Sequence, residues 1–302
     1  MLMQLLEKLK VVYTKEFKNI ARHRDMIGYV CVVSDDKDQY ILKLFKGRHT
    51  EQAKQSIEIM NYLEQSDFPT ARIIPTASGE SYFFYEDEGE HRIGVLYEYI
   101  HGTEPDKSAD IIAIGRQTGR LHHIMNASPL ILSRHDKTFF IDRYLQCLRR
   151  MNYPRVNEFE EYGNLLWDRV KQLPRSFCHG DYHTGNMILN DRGEYVLFDF
   201  DAASKGFAMY DIAVFCDMTN YFNLSCHEYE DTRYMLEEFM KGYGEFGMPS
   251  NQELHSVYSF IAIRHYEVQA TIIENLGAES IDKEFVDAQL EWLRSWEKLL
   301  QQ

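Results

Sequence analysis

The chain has 302 residues, of which 44% are hydrophobic and 26% are charged. This length and composition allow a large buried core in one domain or two lobes, and no segment has the composition of a long disordered region. The net charge of −14 disfavours nucleic acid as a partner and favours a cationic ligand, although the same acidity also serves solubility alone.

The N-terminal segment Met1–Lys10 is rich in leucine but is interrupted by charged residues. Its apolar run is too short for a signal peptide or a membrane span, and no run of about 18 apolar residues follows. The five cysteines are scattered and contain no C-x-x-C pair, which indicates a reducing compartment. We therefore expect a soluble, cytoplasmic protein with no membrane segment.

The first hundred residues predict strands with one helix. Two β-rich runs, Tyr29–Val33 and Tyr40–Phe45, flank a polar turn and predict a hairpin. From Thr50 to Gln65 the apolar residues recur at helical spacing, and Thr50 is the expected N-terminal cap. Further strands are predicted at 71–74, 82–85 and 92–99.

After Gly102 the pattern changes to long amphipathic helices. The predicted helices are 110–125, 140–150, 158–171, 228–243, 252–274 and 283–300, and short strands are predicted at 177–178, 187–189 and 195–200. This order predicts an α+β, protein-kinase-like two-lobed fold, with a small β-rich N-terminal lobe (1–100), a hinge near 98–102 and a larger helical C-terminal lobe (101–302).

The most informative segment is His179-Gly-Asp-Tyr-His-Thr-Gly-Asn186, followed thirteen residues later by Asp199-Phe-Asp201. Asp181 and Asn186 have the separation of Asp and Asn in the kinase catalytic loop H-R-D-x-x-x-x-N. A predicted hairpin between the two segments returns Asp199 to the side of Asn186, which gives two oxygen ligands of the kind that Mg²⁺ prefers. The spacing therefore predicts a site for phosphoryl transfer.

These segments resemble the aminoglycoside phosphotransferase and choline kinase superfamily. The first is similar to its H-G-D-x-H-x-x-N signature, and Asp199-Phe-Asp201 with Tyr210-Asp-Ile-Ala213 is similar to its D-x-D and Y-D-L-A segments. Leu96–Gly102 resembles the family's interlobe hinge, and the prolines and glycine of residues 68–79 resemble the homoserine-kinase-like and spore-coat-kinase-like branches. The resemblance covers about Tyr29 to Ala213.

The resemblance implies roles for the residues of the loop. Asp181 would be the catalytic base or would orient the acceptor hydroxyl, and Asn186 and Asp199 would bind Mg²⁺. Asp201 would either assist a second metal or order the loop. Asp211 would be structural and tie the catalytic loop by hydrogen bonds, and the two loop histidines would hold its shape.

The nucleotide side is predicted from the N-terminal lobe. Lys43 lies in the middle of a predicted strand and is expected to reach the α- and β-phosphates of ATP. An ordinary lysine on the exposed face of a strand would show the same alternation of polar and apolar residues. By the resemblance, adenine would bind the carbonyl of Tyr97 and the N–H of Tyr99.

Two features depart from the kinase pattern. The family's register places Ser56 where the glutamate partner of the lysine is expected, and Glu58 points away from the helix's apolar stripe, so that Asp199 is the alternative partner of Lys43. The segment expected to cover the phosphates, 24–29, contains a single glycine, Gly28.

Other patterns carry less weight. The G-x-G-x-x-G match at Gly242–Gly247 ends a predicted helix and does not follow a strand, so a dinucleotide site is not expected. Cys178, His179 and His183 suggest zinc, but Gly180 and Gly185 disfavour the helix that would bring such ligands together. A hydrolase that uses Cys178 with His179 is disfavoured as well, because adjacent side chains of an extended chain point to opposite faces.

The sequence predicts an ATP- and Mg²⁺-dependent small-molecule O-phosphotransferase whose acceptor is aminoglycoside-, homoserine- or choline-like, with a cationic acceptor suited to the acidic chain. Gly180 in place of the kinase Arg, and the lack of an A-P-E segment, favour a small molecule over a protein as acceptor. The alternative hypothesis is a catalytically silent nucleotide-binding scaffold or coat protein on the same fold.

Overall fold

The computed structural model describes residues 2–25, 28–87, 89–225 and 227–301. Contacts between the residues divide the chain into two compact units. Unit 1 comprises the described residues of Met1–Pro105, Ser128–Leu130 and Gly185–Ala202. Unit 2 comprises those of Asp106–Ala127, Ile131–Thr184 and Ala203–Gln302.

The regular elements follow the predicted order of strands and then mostly helices, except that a helix that was not predicted, α1 (Leu2–Tyr13), precedes the first strand. The strands are β1 Asn19–Asp25, β2 Gly28–Ser34, β3 Gln39–Lys46, β4 Phe83–Asp87, β5 Glu90–Glu98, β6 Gly102–Thr103, β7 Ser176–Cys178, β8 Met187–Asn190, β9 Tyr195–Leu197 and β10 Ser204–Gly206. The α-helices are α1 Leu2–Tyr13, α2 Thr50–Gln65, α3 Ile111–Asn126, α4 Arg143–Arg150, α5 Val156–Val170, α6 Ala208–Cys216, α7 His227–Tyr243, α8 Asn251–Leu276 and α9 Lys283–Leu300.

Unit 1 is built on an antiparallel sheet with the strand order β1-β2-β3-β5-β4. Side chains alternate across the sheet, and β3 buries Tyr40, Leu42 and Leu44 on one face. Leu5, Leu6 and Leu9 of α1 are buried in the same apolar cluster. Since burying a leucine side chain stabilises a fold by about 2 kcal/mol, this cluster is sufficient to fix the sheet that carries Lys43 on β3.

A second, smaller sheet in unit 1 has the order β6-β8-β9. A tight turn at residues 190–194 joins β8 to β9, and the backbone N–H of Leu197 donates to the carbonyl of Pro69. The predicted hairpin between the two motif segments is therefore confirmed, and it brings the residues after β9 back toward the start of β8.

Unit 2 is helical, and its helices α3 and α7 pack at close range through glycines. A Cβ atom on Gly115 would collide with the carbonyl oxygen of Phe239, and one on Gly242 with that of Ile112. Gly242 is the first residue of the G-x-G-x-x-G match, which lies at the end of α7 as the sequence predicted. Its lack of a side chain therefore serves helix packing.

The long helix α8 lies at the centre of unit 2 and buries side chains along most of its length. It begins at a capping box in which the hydroxyl of Ser250 accepts from the N–H of Glu253, while the Glu253 carboxylate accepts from the N–H of Ser250. This helix carries Arg264, which contacts Asp181.

The α+β prediction, a small antiparallel sheet followed by a larger helical part, is confirmed. The strand predicted at 71–74 is wrong, because only isolated bridges form at Thr70 and Ile73, in a segment flanked by prolines that lack an amide hydrogen. Thr50 does not cap α2 either: the cap position is His49, and the Thr50 hydroxyl donates to the carbonyl of Gly47.

The four cysteines within the described part of the chain are buried free thiols, while Cys226 lies outside it. Met26 and Ile27 of the segment expected to cover the phosphates lie outside it as well. Among the described residues, no helix combines the length and the apolar character needed to cross a membrane.

Replacing Gly242 by alanine should lower the free energy of unfolding by about 2 kcal/mol, because the added methyl forces α7 away from α3. Urea titration would measure the loss. Asn164→Ala, at an exposed position of α5, should change it by less than about 0.5 kcal/mol. Equal values for the two variants would contradict the close packing.

Candidate active site

Lys43 lies in unit 1 against two carboxylates. Its Nζ atom is 2.8 Å from Oδ1 of Asp199 and 2.6 Å from Oδ2 of Asp201. Burial alone would lower the pKa of Lys43, but the two negative charges outweigh this effect and raise it. The lysine is therefore a permanent cation, and its partner is the predicted Asp199 together with a second aspartate.

The backbone at Asp199 explains why both carboxylates reach one lysine. Asp199 has a φ angle of 64°, in the left-handed region that aspartate tolerates better than most residues. The N–H of Phe198 donates to the carbonyl of Asn186 at 3.1 Å, and Phe200 is fully buried as an anchor between the two aspartates. This turn sets Asp199 beside Asn186, as the hairpin predicted.

Asp201 is the more enclosed of the two carboxylates, with 21% of its side chain exposed against 41% for Asp199. Burial, together with the neighbouring Asp199 charge, raises the pKa of Asp201 to about 6, although Lys43 and a hydrogen bond from Ser56 act in the opposite direction. Two carboxylates share one cation, and the more buried one carries the raised pKa.

Asn186 and Asp199 form a donor set that suits magnesium. One offers an amide oxygen and the other a carboxylate, and both are hard ligands. Mg²⁺ at phosphate-transfer sites is held by one or two such protein groups, and the phosphates and water supply the remaining ligands. The residues present therefore fit the group that the sequence predicted.

The two tyrosines predicted for adenine lie at the end of β5. Tyr97 is buried and pairs with Ile41 of β3 in the sheet, and its ring lies near the charge cluster of Lys43. Tyr99 follows the strand, and its half-exposed ring packs edge-on against His101. The structure thus places Tyr97 near the end of β5 and Tyr99 directly after it.

Asp181 lies in unit 2 and is held by an arginine and a histidine. Its Oδ1 is 3.2 Å from Nη2 of Arg264 on α8, and its Oδ2 is 3.3 Å from Nε2 of His183. Burial would raise the pKa of Asp181, but the hydrogen bond from His183 and the charge of Arg264 hold it well below the ordinary value. Asp181 is therefore a carboxylate at neutral pH.

The loop that presents Asp181 is tied down by Asp211 of α6, in its predicted structural role. The Asp211 carboxylate accepts from the backbone N–H groups of His179 and Gly180 at 2.7 and 2.8 Å and contacts Nε2 of His122 at 2.9 Å. Gly180 has a φ angle of 84°, a conformation that a kinase-type arginine at this position would adopt only under strain.

Cys178 is part of the same network, since its thiol donates to Asp211 at 3.3 Å. Burial raises the pKa of this thiol well above its ordinary value, so it is not a thiolate nucleophile. Among the residues that the structure describes, no group of three His, Cys, Asp or Glu side chains forms a metal cluster. The hydrolase and zinc interpretations therefore have no structural support.

Two contributors to the site were missed by the sequence reasoning. Arg264 lies on a helix that showed only a generic amphipathic pattern, and its 83-residue separation from Asp181 gave no local signal. The ion pair between Asp201 and Lys43 was also missed, because the loop was expected to use Asp201 for a metal or for its own order.

Replacing Asp211 by asparagine should lower the free energy of unfolding by about 3 kcal/mol at pH 7, because an amide cannot accept from all of these donors and leaves buried groups unpaired. The pKa of Asp211 is lowered in the folded protein, so its stabilisation is complete above about pH 4 and fades as the pH falls further.

The difference between wild type and Asp211→Asn should therefore stay constant above about pH 4 and shrink as the pH falls below it, as measured by urea titration on both sides of that value. Asp231→Asn, the same change at an exposed position of α7, is the matched control. A difference that stays constant with pH would rule out the ionised carboxylate as its source.

Comparison with known proteins identifies the family. The sequence model of the phosphotransferase enzyme family matches residues 23–253. An uncharacterised protein of Deinococcus radiodurans is 29% identical over 74% of the chain and 68% of its own length, and one of Synechocystis sp. is 23% identical over 71% and 62%. The chain thus spans about two thirds of the length of these curated relatives.

Solved structures show the same fold. An amicoumacin kinase in complex with AMP-PNP and Ca²⁺ has a TM-score of 0.78 at 20% identity, with coverage of 98% of this chain and 93% of that one. A microcompartment-associated aminopropanol kinase has a TM-score of 0.76 at 15% identity, with coverage of 97% of this chain and 95% of that one. A choline kinase of Streptococcus pneumoniae has a TM-score of 0.68 at 18% identity, with coverage of 99% of this chain and 98% of that one. The predicted kinase-like fold is confirmed, and the chain belongs to the phosphotransferase enzyme family.

Proposed function

We propose that this protein is an ATP- and Mg²⁺-dependent kinase that transfers the γ-phosphate of ATP to a hydroxyl group of a small molecule. The observation that most supports this function is the pairing of Lys43 with the two aspartates of Asp199-Phe-Asp201, next to Asn186. A lysine and metal-binding oxygens in one place are what phosphoryl transfer requires of a protein.

In this proposal unit 1 binds the nucleotide. Lys43 contacts the α- and β-phosphates, and the carbonyl of Tyr97 and the N–H of Tyr99 bind adenine. Asn186 and Asp199 hold Mg²⁺, which neutralises charge on the phosphate oxygens when it is bound. We also propose residues 1–100 and 101–302 as the functional lobes, the first for nucleotide and the second for the catalytic loop and the acceptor.

Asp181 acts on the acceptor. As a carboxylate whose pKa is lowered by His183 and Arg264, it is a weak base at rest but a permanent hydrogen-bond acceptor. Its first task is therefore to orient the hydroxyl for in-line attack. As the hydroxyl oxygen bonds to the γ-phosphorus, the bond from that phosphorus to the bridging oxygen of ADP breaks, and Asp181 takes up the hydroxyl proton. Asp211 keeps the loop backbone in place for this geometry.

The acceptor is proposed as a small hydroxylated molecule, and a cationic one suits a chain of net charge −14. The solved kinases of the same fold are named for amicoumacin, aminopropanol and choline. Neither nucleic acid nor a membrane is proposed as a partner, and the proposed location is the cytoplasm.

A silent nucleotide-binding scaffold is the second candidate, and Ser56 in the register of the kinase glutamate favours it. The structure weakens this reason, because Lys43 has two other carboxylate partners. A scaffold also has no physical need for an ionised Asp181 held by an arginine and a histidine.

Asp181→Asn should reduce acceptor-dependent ADP release by about 10²- to 10⁴-fold, because the amide cannot take up the proton. The assay would offer MgATP with a panel of aminoglycosides, amino alcohols, homoserine and sugars. Asp191→Asn, on the exposed turn of the hairpin, is the matched control and should keep full activity.

MgATP at about a hundred times its Kd should stabilise both wild type and Asp181→Asn by about 2.7 kcal/mol, since nucleotide binding does not depend on Asp181. Full turnover in Asp181→Asn would contradict the proposed role of Asp181 as the catalytic base. Stabilisation by MgATP without turnover of any acceptor would favour the scaffold.

A further inference from the structure

Lys43 has two carboxylate partners that differ in their surroundings. Asp199 is the more exposed one and lies beside Asn186. Asp201 is the more enclosed one, and its Oδ2 approaches the lysine more closely, at 2.6 Å against 2.8 Å. The two aspartates are therefore not equivalent, although the sequence places them symmetrically around Phe200.

A residue of α2 makes the difference between them larger. Ser56 is 1% exposed and lies on the buried face of α2 with Ala53 and Met60. This helix packs against the segment Phe200–Ala202, and a hydrogen bond from Ser56 lowers the pKa of the Asp201 carboxyl. A hydroxyl donates where a carboxylate can only accept, so the helix supplies a donor to Asp201 at the position where kinases place a glutamate that accepts from the lysine.

We propose that Asp201 is the residue that positions Lys43, in the place of the helical glutamate, and that Ser56 holds Asp201 for this task. The inference rests on the proposed function and deepens it at the nucleotide site. Asp199 is then left to serve the metal with Asn186, whereas Asp201, enclosed and bonded to Ser56, stays with the lysine and is not a second metal ligand.

The free-energy cost of breaking a buried ion pair supports these different roles for Asp199 and Asp201. Removing one member of a buried ion pair leaves an uncompensated charge, and the penalty grows with burial. Asp199, with 41% of its side chain exposed, can exchange its contact with the lysine for a cation from solvent at smaller cost than Asp201. The negative charge that positions Lys43 thus comes from the segment after β9, and α2 contributes only a neutral hydroxyl.

A double-mutant cycle tests the inference, with binding of a non-hydrolysable MgATP analogue to the full chain measured by calorimetry. Asp201→Asn should weaken binding about tenfold. In the Lys43→Met background the same change should have almost no further effect, because its influence passes through the lysine. Asp201→Glu, which keeps the carboxylate, should restore most of the affinity. Equal losses from Asp201→Asn in both backgrounds would overturn the inference.

The metal dependence separates positioning from metal binding. Raising the Mg²⁺ concentration should recover part of the affinity lost in Asp199→Asn, but none of that lost in Asp201→Asn. Recovery in both variants would mean that Asp201 is a metal ligand and would also overturn the inference.

Ser56→Ala keeps every charge and should weaken binding by a smaller factor, about threefold. If thermal unfolding shows that Asp201→Asn does not fold, unchanged affinity in Ser56→Ala counts against the inference on its own. Failure of the wild type to bind the analogue would refute the proposed function itself, whereas wild-type binding without coupling between Lys43 and Asp201 would refute the inference alone.

Discussion

One ammonium group shared by two carboxylates is the constraint around which unit 1 is arranged. The apolar cluster under the main sheet fixes β3 and with it Lys43. The β8–β9 hairpin and the left-handed turn at Asp199 place both carboxylates beside the ammonium group of Lys43. Each element is needed because a buried charge without its partner would cost several kcal/mol.

In unit 2 a single buried carboxylate, that of Asp211, is likewise matched by its partners. Asp211 gathers backbone donors, a histidine and a thiol, and so fixes a loop that has little regular structure of its own. Arg264 and His183 then hold Asp181 as an anion at the surface of that loop. The charged groups of the loop are thus held in place by the fold itself, which is the arrangement that electrostatic catalysis would require of the proposed site.

Local spacing predicted the loop 179–186, the hairpin after it and most helices, because each depends on residues that are close together in the sequence. The same reasoning missed α6, whose nearly uninterrupted apolar residues show no amphipathic period, since the helix is buried on all sides. It also missed the partners Arg264 and Asp201. Their roles come from tertiary contacts with residues 83 and 158 positions away, and no sequence period encodes such contacts.

The Lys43 cluster contains one positive and two negative charges, so it carries a net charge of −1. Such a surface repels the free, highly anionic form of a nucleoside triphosphate, and it attracts a divalent cation. In the proposed function, the cluster would therefore discriminate between ionic forms of the nucleotide and would favour a triphosphate whose charge is already reduced by its metal. Free nucleotide in excess over metal would then be a poor competitor, and the ratio of the two in solution would set how much of the site is filled.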